Sequence, residues 1–199
     1  GAREVPKKEN WSRLAGVALL DMQADLRALG LEFFLVSGTL LGCVRDRDII
    51  GHDKDVDVGI FTDMSPETVR QHLSKTGRFK IRALNTDRLL QCRHLNGVMI
   101  DVFFHWRDDG RVYHEGQKAL WWNSDFELQA TQFMGRSFFI PTNPDQYLLD
   151  LALAIAQRLQ DLVDASAEHF LSRANRGALG RAVRKQIAKM TVLAIAHRP

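Results

Sequence analysis

Gly51-His52-Asp53-Lys54-Asp55-Val56-Asp57-Val58-Gly59-Ile60-Phe61 alternates residue by residue: Asp53, Asp55 and Asp57 fall on one side, Val56, Val58 and Ile60 on the other. A period of two belongs to a β-strand, whose successive side chains point to opposite faces. The spacing predicts a half-buried strand with an apolar back and an acidic front. Residues two apart on a strand lie about 6.6 Å from one another and point the same way, so Asp55 and Asp57 can both reach one or two cations in front of the sheet. The wet face of an edge strand would alternate too. Three like charges in register, however, repel and raise one another's pKa, and a bound cation removes that conflict. Carboxylate ligands suit Mg²⁺, which takes one or two of them and leaves its other positions to water and substrate phosphate.

Upstream, Leu14, Val17, Ala18, Met22, Leu26 and Leu29 recur at helical spacing, with Asn10 as a cap and Gly30 as a stop. Phe33 to Val36 is a short apolar run that predicts a buried strand. It turns through Ser37-Gly38-Thr39-Leu40-Leu41-Gly42 into a second helix from Thr39 to Val44. At such a strand-to-helix turn the free backbone N–H groups and the helix dipole can face a phosphate, although small residues there also serve tight turns in general. Arg45 is placed to clamp phosphate oxygens; pairing with Asp46 or Asp48 is the other use of its charge.

Downstream, Ser65-Pro66-Glu67 starts a helix that Gly77 ends, and Arg78 to Leu84 is a strand candidate. Leu89 to Leu95 and Val98 to Trp106 flank Asn96-Gly97, the strongest short hairpin signal. Asp101 interrupts the apolar run Met99-Ile100 and Val102-Phe103-Phe104. A lone carboxylate there carries a large desolvation cost, which a shared cation or a set of hydrogen bonds must offset. Beside a cation it can also accept the proton of an attacking hydroxyl. Val112 to His114 and Phe133 to Ile140, the latter turning at Met134-Gly135-Arg136, complete the mixed portion. From Asn143-Pro144-Asp145-Gln146, a capping-box start, the pattern is helical to Pro199, with a break around Gly177 and Gly180.

The chain has 199 residues, 45% hydrophobic and 26% charged, the composition of an ordinary globular domain and not of a disordered chain. Cys43 and Cys92 make no disulfide framework and have no zinc-site spacing, so a reducing, cytoplasmic location is expected. No apolar run reaches membrane-spanning length, and Lys7-Lys8-Glu9-Asn10 does not lead into a signal peptide core. The net charge of +3 is uneven: no acid follows Glu168, whereas Arg173, Arg176, Arg181, Arg184, Lys185, Lys189 and Arg198 do. A solvated helix face is favoured over peripheral association with the inner membrane surface or another polyanion. Nucleic acid is not expected as a partner, since no aromatic residue follows Phe170 on which a base could stack. Trp121-Trp122 fits a stacking platform for cytosine or sugar as well as it fits rim packing. His52, His94, His105 and His114 read as structural, although His105 shares the face of Asp101 at i+4.

Taken together, the turn, Arg45, the Asp-x-Asp-x-Asp-x-Gly strand and Ile100-Asp101-Val102-Phe103 resemble, in order and spacing, the LicD and fukutin family of phosphotransferases. Phe139-Ile140-Pro141 with Tyr147-Leu148 is similar to the family's weaker C-terminal motif. Where many relatives continue with Tyr-Gly and a tryptophan, Leu149 to Leu153 continues as helix, so acceptor recognition is expected to differ. The resemblance implies an α+β fold with a nucleotidyltransferase-like mixed sheet flanked by helices, here a catalytic core over 1–142. A C-terminal helical extension over 143–199 is expected to pack on it. It further implies transfer of a phospho-alcohol, such as phosphocholine or ribitol phosphate, from a CDP-linked donor to a hydroxyl of a cell-surface or capsular glycan. Asp55 and Asp57 would be the metal pair and Asp101 the third carboxylate. Asp53 would be a ligand or its support, Ser37, Gly38 and Thr39 the phosphate turn, and Arg45 a phosphate contact. The cofactor would be two Mg²⁺ ions, with Mn²⁺ as the substitute. Two alternatives stay open: transfer of NMP from an NTP to a small acceptor, and a non-catalytic nucleotide- or glycan-binding domain.

Overall fold

The computed structural model describes residues 8–51, 53–82, 88–116 and 119–173. His52, the break at Gly177 and Gly180, and the basic residues from Arg176 onward lie outside them. The elements are α1 (Lys8–Arg27), β1 (Phe33–Leu35), α2 (Ser37–Arg45), β2 (Asp55–Phe61), α3 (Pro66–Lys75), β3 (Phe79–Arg82) and β4 (Leu89–His94). They continue with β5 (Met99–Asp108), β6 (Arg111–Glu115), β7 (Leu120–Ser124), β8 (Leu128–Phe133), β9 (Arg136–Pro141) and α4 (Pro144–Arg173). The chain divides into two compact units between Leu151 and Ala152.

The first unit is built on one mixed sheet, which among the described residues runs β3-β4-β5-β2-β1-β9-β8, with β6 and β7 continuing from the far half of β5. The central pair β2 and β5 is parallel, as is β1 with β9, and the remaining pairs are antiparallel. Alternation in β2 sorts the sheet into two faces. Val56, Val58 and Ile60 lie on the back with Ile100, Val102, Phe104, Leu90 and Cys92, all of them buried. Each such side chain contributes about 1.5–3 kcal/mol on burial. His94, on this back face of β4, meets Asp21 of α1 at 2.9 Å, so α1 covers the back of the sheet.

The stripe of α1 that enters the core is Trp11, Ala15, Ala18, Leu19, Met22 and Leu26. Val17, expected in that stripe, is 43% exposed, since one step of 100° carries it off the face centred on Ala18 and Met22. Asn10 lies inside α1 instead of capping it and accepts a hydrogen bond from Arg13. The stop at Gly30 is a Schellman arrangement: Gly30 has φ 74°, Leu31 N donates to Leu26 O at 3.0 Å and Gly30 N to Arg27 O at 2.9 Å. Ser65 caps α3 through Thr68 N, with Pro66 at the first helical position.

β7 and β8 were not expected from the sequence as separate strands. Leu128-Gln-Ala-Thr-Gln-Phe is mostly polar and takes its strand form from pairing with β9 through the hairpin at Met134-Gly135, where φ is 52° and 72°. Asn143 caps α4 through Gln146 N, and Tyr147 is buried with its ring edge-on to Phe126 at 5.4 Å. In the second unit, Leu153, Ile155, Leu159 and Leu162 of α4 are exposed. Among the described residues no helix is long and apolar enough to cross a membrane.

Candidate active site

The parallel register of β2 and β5 sets Asp57 directly beside Asp101 and Asp55 beside Met99. Neighbouring strands lie about 4.8 Å apart, so the two opposed aspartates share one patch on the front face. The row continues outward: Gln91 of β4 faces Asp101, and Arg82 of β3 faces Gln91. Side-chain bonds follow the same line. Gln91 Nε2 donates to Asp101 Oδ2 at 3.0 Å, and Arg82 donates to Gln91 Oε1 at 3.3 Å. Asp101 is 8% exposed, and its other oxygen, Oδ1, is buried with no partner.

The strand-to-helix turn is bolted onto Asp57. Asp57 N donates to Thr39 Oγ1 at 2.8 Å, Gly38 N donates to Asp57 Oδ2 at 3.3 Å, and Val36 N donates to Asp57 O at 3.3 Å. Ser37 enters the helix at φ 49°, a left-handed conformation that costs a non-glycine residue roughly 1–2 kcal/mol. A Cβ at position 38 would sit 2.5 Å from Asp53 Oδ2, so any side chain there must displace the Asp53 carboxylate. The first turn of α2 holds no acid and Val36 gives no side-chain cap. The negative charge at this N-terminus comes instead from Asp57 and Asp53 on the neighbouring segment.

These contacts leave the carboxylates in electrostatic conflict. Burial, then the charges of Asp55, Asp101 and Asp53, push the Asp57 carboxyl up to about 8, against the Gly38 hydrogen bond that favours its anion. Asp55 is raised by burial and by Asp53, and Asp101 is raised by burial despite its bond from Gln91. Among the described residues no group of three or more His, Cys, Asp or Glu side chains is gathered as a metal site. The row is a set of hard oxygen donors with excess negative charge and one orphaned buried oxygen, which fits a divalent cation in donor type and in charge. The opposed pair Asp57 and Asp101, with Asp55 next along β2, would hold it with water or substrate phosphate completing its shell.

Asp53 lies before β2, against Gly38, and not in the strand itself, and its charge acts on both Asp55 and Asp57. Other expected residues stand apart. Arg45 forks onto the carboxylate of Asp46 at 2.8 and 2.7 Å, at the opposite end of α2 from Ser37, about 12 Å away along the helix. His105 is buried among Phe34, Phe61 and His114, with its pKa held well below the usual range by burial and by His114. Trp122 belongs to a stacked column with Tyr113 and Trp106, over which Arg111 and Arg88 lie. A cavity of about 610 Å³ lies at the far end of β2 and β5, lined by Phe61, Asp63, His105, Arg107 and Glu127 among others. Gln91 and Arg82 were missed in the sequence, where nothing marks them. Only the pairing of β3, β4 and β5 brings them to Asp101.

Residues 30–143 match the family model described as LicD/FKTN/FKRP, nucleotidyltransferase domain. Among curated proteins, the chain is similar to the ribitol-5-phosphate transferase FKTN of Mus musculus, 29% identical over 140 residues, covering 65% of this chain and 30% of that protein. It is similar also to the same-named protein of Homo sapiens, 27% identical over 146 residues, covering 68% of this chain and 32% of that one. The match therefore spans about a third of the length of these relatives. Among solved structures, the lincomycin-bound lincosamide antibiotic adenylyltransferase LnuA aligns with TM-score 0.43 and 14% identity, over 66% of this chain and 81% of that one. The matched stretch runs from Gly30 past the end of β9 and contains the turn, the acidic strand and Asp101, and on it the chain belongs to the LicD/FKTN/FKRP nucleotidyltransferase-domain family.

Proposed function

We propose that the chain is a transferase that moves a phospho-alcohol, such as phosphocholine or ribitol phosphate, from a CDP-linked donor to a hydroxyl of a cell-surface or capsular glycan in the cytoplasm. The observation that carries this is the opposed pair Asp57 and Asp101 with the α2 turn hydrogen-bonded onto it. Family membership and the activity named for the relatives supply the reaction class. Asp55, Asp57 and Asp101 would hold Mg²⁺, or Mn²⁺ in its place, as two ions. When bound, the cations supply charge neutralisation at the phosphoryl oxygens and at the leaving phosphate.

The residues of the chain do the rest. Gln91 holds Asp101 Oδ2 and fixes the carboxylate beside Asp57, where it would take the proton of the acceptor hydroxyl. The acceptor oxygen forms its bond to the phosphorus bearing the alcohol, the bond from that phosphorus to the bridging oxygen breaks, and CMP leaves with the electron pair. Ser37, Gly38 and Thr39, at the positive end of α2, face the phosphates.

The family description also favours a second possibility, transfer of NMP from an NTP, which uses the same aspartates but expels pyrophosphate. Incubating the protein with Mg²⁺, CDP-alcohols and a glycan, and separately with NTPs and small acceptors, separates the two. CMP release from a CDP-alcohol is the expected result; pyrophosphate from an NTP with no CMP from any CDP donor would overturn the proposal. Absence of both products would leave a binding domain.

A further inference from the structure

We infer that Lys80, Arg82 and Arg93, on the front of the β3–β4 ribbon, form an anion-binding wall that takes up the phosphate groups of the substrate on the open side of the acidic row. The inference rests on the phosphotransfer reading above. Two transverse rows cross the sheet on this face: Arg82, Gln91, Asp101, Asp57, and beside it Lys80, Arg93, Met99, Asp55. Directly paired residues project from the same side, so the three cations and the three carboxylates share one face. At about 4.8 Å per strand, Arg93 is about 10 Å from Asp55 and Arg82 about 14 Å from Asp57 between Cα atoms. Between the bases and the acids of these rows lie Gln91 and Met99, over which a diphosphate would rest.

All three cationic residues are exposed. Among the described residues the side chains of Lys80 and Arg93 make no hydrogen bond or ion pair, although they stand on the same face as Asp55, Asp57 and Asp101. Charges on an edge strand commonly guard against strand addition, and β3 is an edge strand. That purpose covers Lys80. It does not cover Arg93, which lies on the interior strand β4, nor Arg82, whose guanidinium reaches inward to Gln91. Arg45, the cation expected to meet phosphate, is held by Asp46 instead. The wall supplies the positive charge that the site otherwise lacks on this side, and guanidinium groups bind phosphate oxygens through charge-assisted hydrogen bonds.

The test is calorimetric binding of CDP, cytidine, inorganic pyrophosphate and ribose 5-phosphate, in Mg²⁺, to the wild type, to Lys80→Gln/Arg93→Gln and to Arg93→Lys. The side chains are exposed, and thermal unfolding of each variant checks that the fold is kept. CDP and pyrophosphate affinity should fall about tenfold per charge removed, cytidine affinity should stay unchanged, and Arg93→Lys should keep most of the wild-type affinity. CDP and pyrophosphate binding in the double variant equal to the wild type would overturn the wall and leave the donor reading standing. Wall-dependent binding of pyrophosphate with no CDP binding would uphold the wall and sink the CDP donor. Wall-dependent binding confined to ribose 5-phosphate would uphold it with the phosphate coming from the acceptor. No anion bound by the wild type would overturn it outright.

Discussion

Asp101 has one oxygen held by Gln91 and one buried without a partner, and that division decides what a change at Gln91 should do. Gln91→Leu removes the donor to Oδ2 that orients the carboxylate, so kcat should fall about tenfold or more while KM for the donor changes by less than about twofold. A steady-state assay of CMP release checks it, and a rise in KM at unchanged kcat would make Gln91 a substrate contact instead. Away from the acids, His114 carries a different signature. Burial lowers its pKa to about 4, whereas in the unfolded chain it takes up a proton near 6.5. Between those values the unfolded state binds the extra proton, so stability falls as pH drops through the window and is fully present above about 6.5. Relative to His114→Gln, the wild type should lose roughly 2 kcal/mol between pH 7.5 and pH 5, measured by urea unfolding at each pH. Equal losses in the two proteins would show His114 to be protonated in the fold.

The central strand β2 combines three constraints: an apolar back, an acidic front and, at Gly59, a gap. A Cβ at position 59 would lie 2.6 Å from Phe34 Cζ and 2.7 Å from His105 Cε1, with the rings themselves confined by Phe61, Phe126 and His114. Gly59→Ala should therefore overpack the front of the sheet and lower stability by about 1–3 kcal/mol, visible as a lower midpoint in chemical denaturation. An unchanged midpoint would mean that the aromatic cluster repacks freely. How much of this was legible follows from how local each signal is. The alternation over Asp55 to Ile60, the Asn96-Gly97 hairpin and the Ser65-Pro66 helix start are written in neighbouring residues, and the structure has each of them. β8 was not legible because its polar run becomes a strand only by pairing with β9, and in the expected stripe of α1 only Val17 falls outside the core face. Asp57 and Asp101 could be read as metal-site candidates from residue type. Their direct opposition, and the line through Gln91 to Arg82, is a property of strand register that spacing along the chain does not encode.

On the scale of the whole first unit, the back of the sheet is apolar, while the front carries the acidic row towards the start of β2 and β5 and a buried aromatic cluster of Phe34, His105 and Phe126 towards their far end, so the site lies apart from the core on its own half of one face. Asp55→Ala and Asp57→Ala should abolish turnover yet leave the metal-free protein as stable as the wild type or more so, since each removes a buried or half-buried like charge. Loss of folding in both would show that these side chains serve the core. The acidic row as a shared cation site is tested most directly by calorimetric titration of Mg²⁺, in the presence of CDP, into the wild type and into Asp57→Asn and Asp101→Asn. Saturable binding by the wild type, lost or weakened more than about tenfold in both variants, is the expected result. Wild-type affinity in both variants, or no Mg²⁺ bound by the wild type, would contradict it.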